Sequence, residues 1–425
     1  MNYREAENYI FSRRRMGMRF DLERVDNLMR RVGEPQKVFD TIHVVGTNGK
    51  GSTTWMLSVL LKELGFKVGR MISPHLLDYR ERIAVEGRWI PGEAVVEFVE
   101  RFRDDIEETG ATFFEITTVM AAWYFRKAGV DVVAAEAGLG GRLDATKLFR
   151  GKITVFTGVE LEHSRILGST EAVIAGEKVA VARPGSTLVA HVQSPDVERS
   201  IGEVIMRHGL ERLIPPPSVP SPLPGAGQEA NAALAAFTAG LYAGVPIRKT
   251  MRLLREPGPS MKWAGRIDLR AGTPPILFDV AHNPGSMEQL VRYVRKRWNT
   301  PLPAVIGFLA DKQWKEMVRV LRGTFQPVVA TTPTDERKLE AEVLREELSG
   351  NGIEACAVDD VGGALGEARK TGRGPVVVAG SFFVTGAAML QAWRQGWIEL
   401  PGAGDEAGQV FVDGGDVDTP RSGGI

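Results

Sequence analysis

The sequence predicts an α/β protein with two successive parallel-sheet domains, the first carrying a phosphate loop (P-loop) and the second smaller. Three observations predict it. An apolar run at 41–45 leads into a glycine-rich stretch, then a helical pattern at 53–64 and an apolar run at 68–72, giving strand, loop, helix, strand. Residues 130–136 are almost continuously apolar, as in a strand buried on both faces. Beyond a Glu256-Pro-Gly-Pro-Ser260 break, apolar runs at 276–280, 304–308, 327–331 and 376–379 alternate with helical segments.

In chain order, residues 5–28 read as helical with a break at Met16-Gly17-Met18. The periodicity predicts helices over 93–108, 117–127 and 230–242, and over 170–182 with Thr170 as N-cap. Residues 153–158 read as a strand, and the proline-rich 215–224 as an extended surface loop. In the second half, 286–298 and 338–348 read as helices. The expected organisation is a first domain over 1–255, a linker over 256–262, a second domain over 263–401, and a disordered tail over 402–425, where Gly and Asp dominate.

Composition narrows the classes. The 425 residues carry 53 Lys plus Arg against 53 Asp plus Glu, so no global field favours nucleic acid or an anionic membrane, and any anion site must be built locally. Cys356 is the single cysteine, which excludes an intramolecular disulfide and argues against a cysteine zinc site. Met1 to Arg15 is charged and has no signal-peptide apolar stretch, and no apolar run approaches the roughly 20 residues of a membrane span. A cytoplasmic location is the expectation.

Gly46-Thr-Asn-Gly-Lys-Gly-Ser52 lies where the first strand meets its helix. Glycines such as Gly49 and Gly51 let backbone N–H groups turn toward phosphate, and the helix N-terminus adds partial positive charge. Lys50 can neutralise terminal phosphates, Ser52 can reach phosphate or metal, and Asn48 belongs to the same loop. Gly51 separates Lys50 from Ser52, a departure from G-x-x-x-x-G-K-[ST]. The plainer alternative is a tight turn with a surface lysine; the strand and helix flanking the loop favour phosphate. A second cluster, Gly138-Leu-Gly-Gly141, lacks the third glycine and following helix of a dinucleotide fingerprint.

Polar residues close three strands of the first domain: Ser73, Glu136 and His163. Ligands of open α/β sheets gather at such ends, and a hydroxyl and a carboxylate suit Mg²⁺. Imidazole is an unusual Mg²⁺ ligand, so His163 could equally be a satisfied surface histidine, and Glu136 a buried structural carboxylate. Lys178, inside an apolar helix, is either a snorkelling lysine or a desolvated amine able to take up CO₂ as a carbamate. In the second domain Asp279-Val-Ala-His-Asn-Pro284 follows a strand, and Arg266 just upstream reads as a rim ion pair or a phosphate clamp.

Together these motifs, with Ser73-Pro-His-Leu76, Phe114-Glu115, Glu136-Ala-Gly-Leu-Gly-Gly-Arg-Leu-Asp-Ala-Thr146, Gln228 with Asn231, and Gly380-Ser381, resemble the folylpolyglutamate synthase branch of the Mur ligase family. They occur in family order from about residue 40 to 385. The resemblance implies a Mur ligase-like ATPase domain, a smaller C-terminal α/β domain and ATP between them. It implies Mg²⁺ at Ser73, Glu136 and His163, and a second Mg²⁺ held through carbamylated Lys178. It assigns nucleotide contacts to Asn231, Arg266 and Asp279 as well as the loop, and chemistry to Lys50, Lys178, His163 and His282. Pterin contacts are implied at Thr112, Phe113, Phe114 and Glu115, and at Leu143, Asp144 and Ala145.

The implied reaction phosphorylates a dihydropteroate or folate carboxylate with ATP, after which the amine of L-glutamate attacks the acyl phosphate. These small molecules are the implied partners, without nucleic acid or membrane, and the chain is expected to be a monomer. Lys147, Glu162, Gly227, Ala264 and Gln313 depart from the family pattern, standing for the usual Asn, Asp, His, Pro and Asp. A related ligase with another carboxylate substrate, or a nucleotide-binding paralogue without catalysis, stays open at the level of sequence.

Overall fold

The computed structural model describes residues 1–16, 21–255, 263–372 and 374–399. The predicted linker over 256–262, the tail over 402–425 and part of the Met16-Gly17-Met18 break lie outside the described residues.

The first domain is an eight-stranded sheet. Its strands are β1 (Asp40–Val45), β2 (Val68–Met71), β3 (Ile83–Val85), β4 (Arg88–Trp89), β5 (Val132–Glu136), β6 (Gly151–Phe156), β7 (Thr187–Ala190) and β8 (Glu211–Leu213). Their spatial order is β4-β3-β2-β5-β1-β6-β7-β8. β1 is central, with parallel partners β5 and β6, and the antiparallel β3–β4 ribbon forms one edge. The almost continuously apolar 130–136 run has a physical reason in this arrangement. Successive side chains of a strand point to opposite faces, and on β5 Val133 and Ala135 enter one core while Val132 and Ala134 enter the other. The first core is closed by the helices Gly92–Thr109 and Phe113–Ala128. The second is closed by Lys50–Glu63 and the alanine-rich Gln228–Ala243, whose Ala232, Ala233, Ala235 and Ala236 are fully buried.

The helix predicted over 117–127 begins earlier, at Phe113, because Thr112 and Glu115 form a capping box. Thr170 is the N-cap expected, its side chain accepting from Val173 N at 3.3 Å. Residues 215–224 carry no regular element, but Val219 and Leu223 are buried in the second core, so this segment is pinned down rather than lying free on the surface. Strands β7 and β8 with the helix Pro195–His208 extend the sheet beyond what the sequence pattern predicts.

The second domain is a six-stranded sheet of β9 (Asp268–Arg270), β10 (Ile276–Phe278), β11 (Leu302–Ile306), β12 (Phe325–Ala330), β13 (Ala355–Ala357) and β14 (Val376–Ala379), in the order β13-β12-β11-β14-β10-β9. Only β9 runs antiparallel to its neighbour. Among the described residues no helix is long and apolar enough to cross a membrane.

Candidate active site

The carboxyl end of β1 runs straight into the phosphate loop, as a parallel sheet requires of a ligand site. Gly49 caps the following helix at φ 84°, a conformation open to glycine. A Cβ there would also lie 2.4 Å from Asn231 Oδ1. Thr157, just past the end of β6, ties the loop down by donating to Asn48 O at 2.6 Å. Two lysines converge on one loop carbonyl: Gly46 O accepts from Lys50 Nζ at 3.1 Å and from Lys178 Nζ at 2.8 Å. Burial, then the neighbouring charge of Lys50, lowers the Lys178 amine to about 7.

Glu136 closes β5 beside this loop, buried and accepting from Ser73 N at 3.3 Å. Burial raises its carboxyl, against the pull of Lys50 and Arg266. The Ser73 hydroxyl is buried and has no hydrogen-bond partner among the described residues. A side chain built at Gly51 would project between Glu136 Oε2 (3.5 Å) and Arg266 Nη2 (3.6 Å), so the loop faces groups from both domains. Arg266 is packed over the Phe382 ring at 5.2 Å. Asp279 accepts from Ile267 N and Ala281 N at 2.8 Å each, and burial raises its carboxyl to about 6 despite Arg266.

Among the described residues the domains also meet at two polar contacts beside the loop. Asn48 and Asn283 exchange amide hydrogen bonds, Asn48 Nδ2 donating at 3.3 Å and Asn283 Nδ2 at 2.9 Å. Glu162 accepts from Lys312 Nζ at 2.9 Å and lies near His282 (3.7 Å) and His163 (3.9 Å). Burial alone would raise the Glu162 carboxyl, but His282, Lys312 and His163 outweigh it and hold it well below the usual range. Burial lowers both His163 and His282 to about 4, leaving them neutral at pH 7.

Asn48, Gly49, Lys50, Gly51, Ser52, Ser73, Glu136, His163, Asn231, Arg266, Asp279 and His282 line one interdomain cleft of about 410 Å³. Lys178 is not on its wall; its amine reaches the loop from behind. Thr112, Phe113, Phe114, Glu115, Leu143, Asp144 and Ala145 line a second, larger cleft of about 2030 Å³. Both acidic residues among these have their oxygens engaged within the fold. Glu115 accepts from Thr112 N and Thr112 Oγ1 at 2.7 Å each and stands 3.7 Å from Arg24. Asp144 accepts from Gly138 N, Leu139 N and Thr146 N at 2.8–3.0 Å, which holds the second glycine cluster in its turn. Lys147 lines neither cleft; the charges acting on it are Arg142 and Glu177. No cluster of three or more His, Cys, Asp or Glu residues suited to a metal occurs among the described residues.

Sequence reasoning did not assign Glu162, Lys312, Asn283, Thr157 or Phe382 a role. Glu162 precedes His163 and Lys312 follows Asp311, but their pairing joins residues 150 apart.

Residues 265–382 match the family model described as Mur ligase, glutamate ligase domain. The chain is 30% identical over 428 residues to the folylpolyglutamate synthase of Lacticaseibacillus casei, covering 91% of this chain and 98% of the relative. It is 33% identical over 435 residues to a Haloferax volcanii protein named as a probable bifunctional folylpolyglutamate synthase/dihydropteroate synthase, covering 91% of this chain but 50% of that relative. The chain thus spans about half the length of such bifunctional relatives. Its fold is similar to that of E. coli FolC in complex with DHPP and ADP, with a TM-score of 0.82 and 28% identity over 93% of this chain and 98% of that one. The β1 loop, the paired sheets and likeness across nearly the whole of the shorter relatives lead to one conclusion: the chain belongs to the folylpolyglutamate synthase/dihydrofolate synthase branch of the Mur ligase family.

Proposed function

We propose that the chain is an ATP-dependent acid–amino-acid ligase that joins L-glutamate to a dihydropteroate or folate carboxylate through an acyl phosphate. The observation that carries this reading is the position of Gly51, at the start of the phosphate-loop helix, between Glu136 of the first domain and Arg266 of the second. Phosphates cradled by the loop would meet a guanidinium from the opposite domain. Lys50 then neutralises the transferred phosphoryl group from one side and Arg266 from the other. Phosphoryl transfer depends on such positioning and charge neutralisation more than on covalent chemistry by the protein.

The orphaned Ser73 hydroxyl and the Glu136 carboxylate are hard oxygen donors of the kind Mg²⁺ takes. His163, on the same cleft and neutral, is the third donor of the proposal. A bound Mg²⁺ would supply charge neutralisation at the phosphates. Lys178, its amine lowered to about 7 by burial and by Lys50, has a neutral fraction that can form a carbamate and so offer a second anionic donor. The pterin would occupy the larger cleft, against the apolar faces of Phe113, Phe114, Leu143 and Ala145. The E. coli protein of similar fold was solved with DHPP and ADP, which supports a nucleotide and a pterin here.

The test is phosphate release from ATP with L-glutamate, comparing dihydropteroate, tetrahydrofolate and no acceptor. The expected result is release that needs both glutamate and a pterin, and that falls at least about 100-fold in a folded Lys50→Ala variant. Release indifferent to every acceptor, or untouched by Lys50→Ala, would overturn the reading.

A further inference from the structure

Trp263 is the first described residue of the second domain, yet its ring packs into the first domain's core beneath the phosphate-loop helix. Its centroid lies 5.6 Å from that of Trp55, a residue of that helix only 3% exposed. The guanidinium of Arg70, a buried residue of β2, sits over the Trp263 ring at 5.1 Å. A cation over an indole face is attracted by the ring quadrupole, most of all away from water.

Gly51 and Trp55 are one turn apart on the phosphate-loop helix and so share a face. Gly51 faces Arg266, since a Cβ built there would lie 3.6 Å from Arg266 Nη2. Trp55 faces Trp263. Residues 263–266 therefore run along one face of the helix as a strap. Three residues span at most about 10 Å, so the seated ring limits how far the guanidinium can leave the loop. Gly265 lies where the strap passes between the domains. Its φ is 71°, a conformation open to glycine, and a Cβ there would stand 3.0 Å from both Leu76 Cδ2 and Val280 Cγ1. Among the described residues the Arg266 side chain donates one hydrogen bond, to Gly265 O at 3.3 Å. Its direction thus depends on the strap and on the Phe382 ring. We propose that Trp263 is a positioning residue for phosphate binding: seated against Trp55 and Arg70, it holds Arg266 at the phosphate loop. The proposal rests on the ligase reading above in taking Arg266 as a phosphate clamp.

The experiment is a calorimetric titration of the full-length protein with Mg²⁺ and the non-hydrolysable analogue β,γ-imido-ATP, and it needs neither glutamate nor pterin. Arg266→Ala sets the reference and is expected to bind the analogue at least about tenfold more weakly, having lost a charge-assisted contact. Trp263→Ala is expected to bind at least about fivefold more weakly, and Trp263→Phe, which keeps an aromatic face, within about twofold of wild type. The deciding protein is the double variant. Because the ring acts through the guanidinium, Trp263→Ala/Arg266→Ala should bind within about twofold of Arg266→Ala alone. Losses that multiply in the double variant would mean that the ring supports the fold at large, and would overturn the proposal. A Trp263→Ala protein that binds like wild type would overturn it as well. Should Trp263→Ala fail to fold, Arg70→Met takes its place in the same cycle, since it leaves both indoles intact. It is expected to weaken binding at least about threefold, and not at all once Arg266 is Ala. An Arg266→Ala protein that binds like wild type would remove the phosphate clamp, and the proposal with it. A wild type that shows the expected cycle but forms no amide with any pterin would refute the ligase reading and leave the strap standing, so the two failures are distinguishable.

Discussion

Glu162 of the first domain accepts a hydrogen bond from Lys312 of the second at 2.9 Å, and each side chain is only 14% exposed. This half-buried pair joins the two sheets beside the phosphate loop, with His282 and His163 within 4 Å of the same carboxylate. The family's usual Asp at this position is one methylene shorter. Glu162→Ala would leave the Lys312 ammonium partly buried without its partner. Removing one partner of a fully buried pair costs about 3–5 kcal/mol, which sets an upper bound here. The expected outcome is a lower Tm in Glu162→Ala and recovery in Glu162→Ala/Lys312→Met, where both charges are gone. Calorimetry of the three proteins checks this; equal Tm values in wild type and Glu162→Ala would contradict it.

A second prediction concerns acid. His43 is fully buried on β1, with Nε2 2.8 Å from Thr146 O, and burial lowers it to about 4, with Lys147 adding to the effect. A histidine whose folded pKa lies below its unfolded value of about 6.5 resists protonation in the native state. Stability is therefore full above that unfolded value, is lost as pH falls from about 6.5 toward 4, and levels off below. His282 acts in the same direction and over the same window. Chemical denaturation across this range should show stability rising with pH, with a smaller slope in His43→Asn. An unchanged slope in that variant would contradict the assignment.

Both results bear on how far the sequence could be read. The strand, glycine loop and helix from β1 onward follow from local patterning, because an apolar run, a glycine turn and helical periodicity are all nearest-neighbour signals. On the first domain's share of the interdomain cleft, Ser73, Glu136 and the β1 loop were legible for the same reason: they sit at strand ends. What was not legible is pairing. Glu162 with Lys312, and Asn48 with Asn283, depend on how one sheet is set against the other, and no local pattern encodes that. Glu115 and Asp144 lie on the expected cleft wall, yet capping and turn formation occupy their oxygens. A carboxylate near a helix start or a glycine turn has a structural use that sequence reasoning weighs too lightly. Residues 187–213 add two parallel strands and a helix because β6 would otherwise expose a long unpaired edge.

Lys178 supplies a third prediction. Its amine, lowered to about 7 by burial and by Lys50, is largely neutral at pH 8 and protonated at pH 6. A neutral amine adds CO₂ and an ammonium does not. With ¹³C-bicarbonate at pH 8 the wild type should show a carbamate carbonyl resonance that fades at pH 6 and is missing from Lys178→Gln. A spectrum identical in the variant would assign that signal elsewhere and remove the carbamate from the account.

Lys147 is the departure from the family pattern that most invites a substrate role, and the structure argues against one. It lines neither cleft, and the charges acting on it are Arg142 and Glu177 rather than Asp144. Lys147→Asn should leave Michaelis constants for ATP, glutamate and a panel of pterin carboxylates within about twofold, since exposed or half-exposed charges seldom contribute more than about 1 kcal/mol. A shift in acceptor preference would mean that the residue reaches substrate in a conformation other than this one.

The central claim is that the two clefts join an ATP phosphate to a pterin carboxylate, and oxygen tracing tests it most directly. A pterin acceptor labelled with ¹⁸O in its carboxylate is incubated with the enzyme, ATP, Mg²⁺ and L-glutamate, and the inorganic phosphate is analysed by mass spectrometry. An acyl phosphate requires a carboxylate oxygen to leave with the phosphate, so the account predicts one ¹⁸O in phosphate for each amide formed. Amide formation with unlabelled phosphate would contradict it.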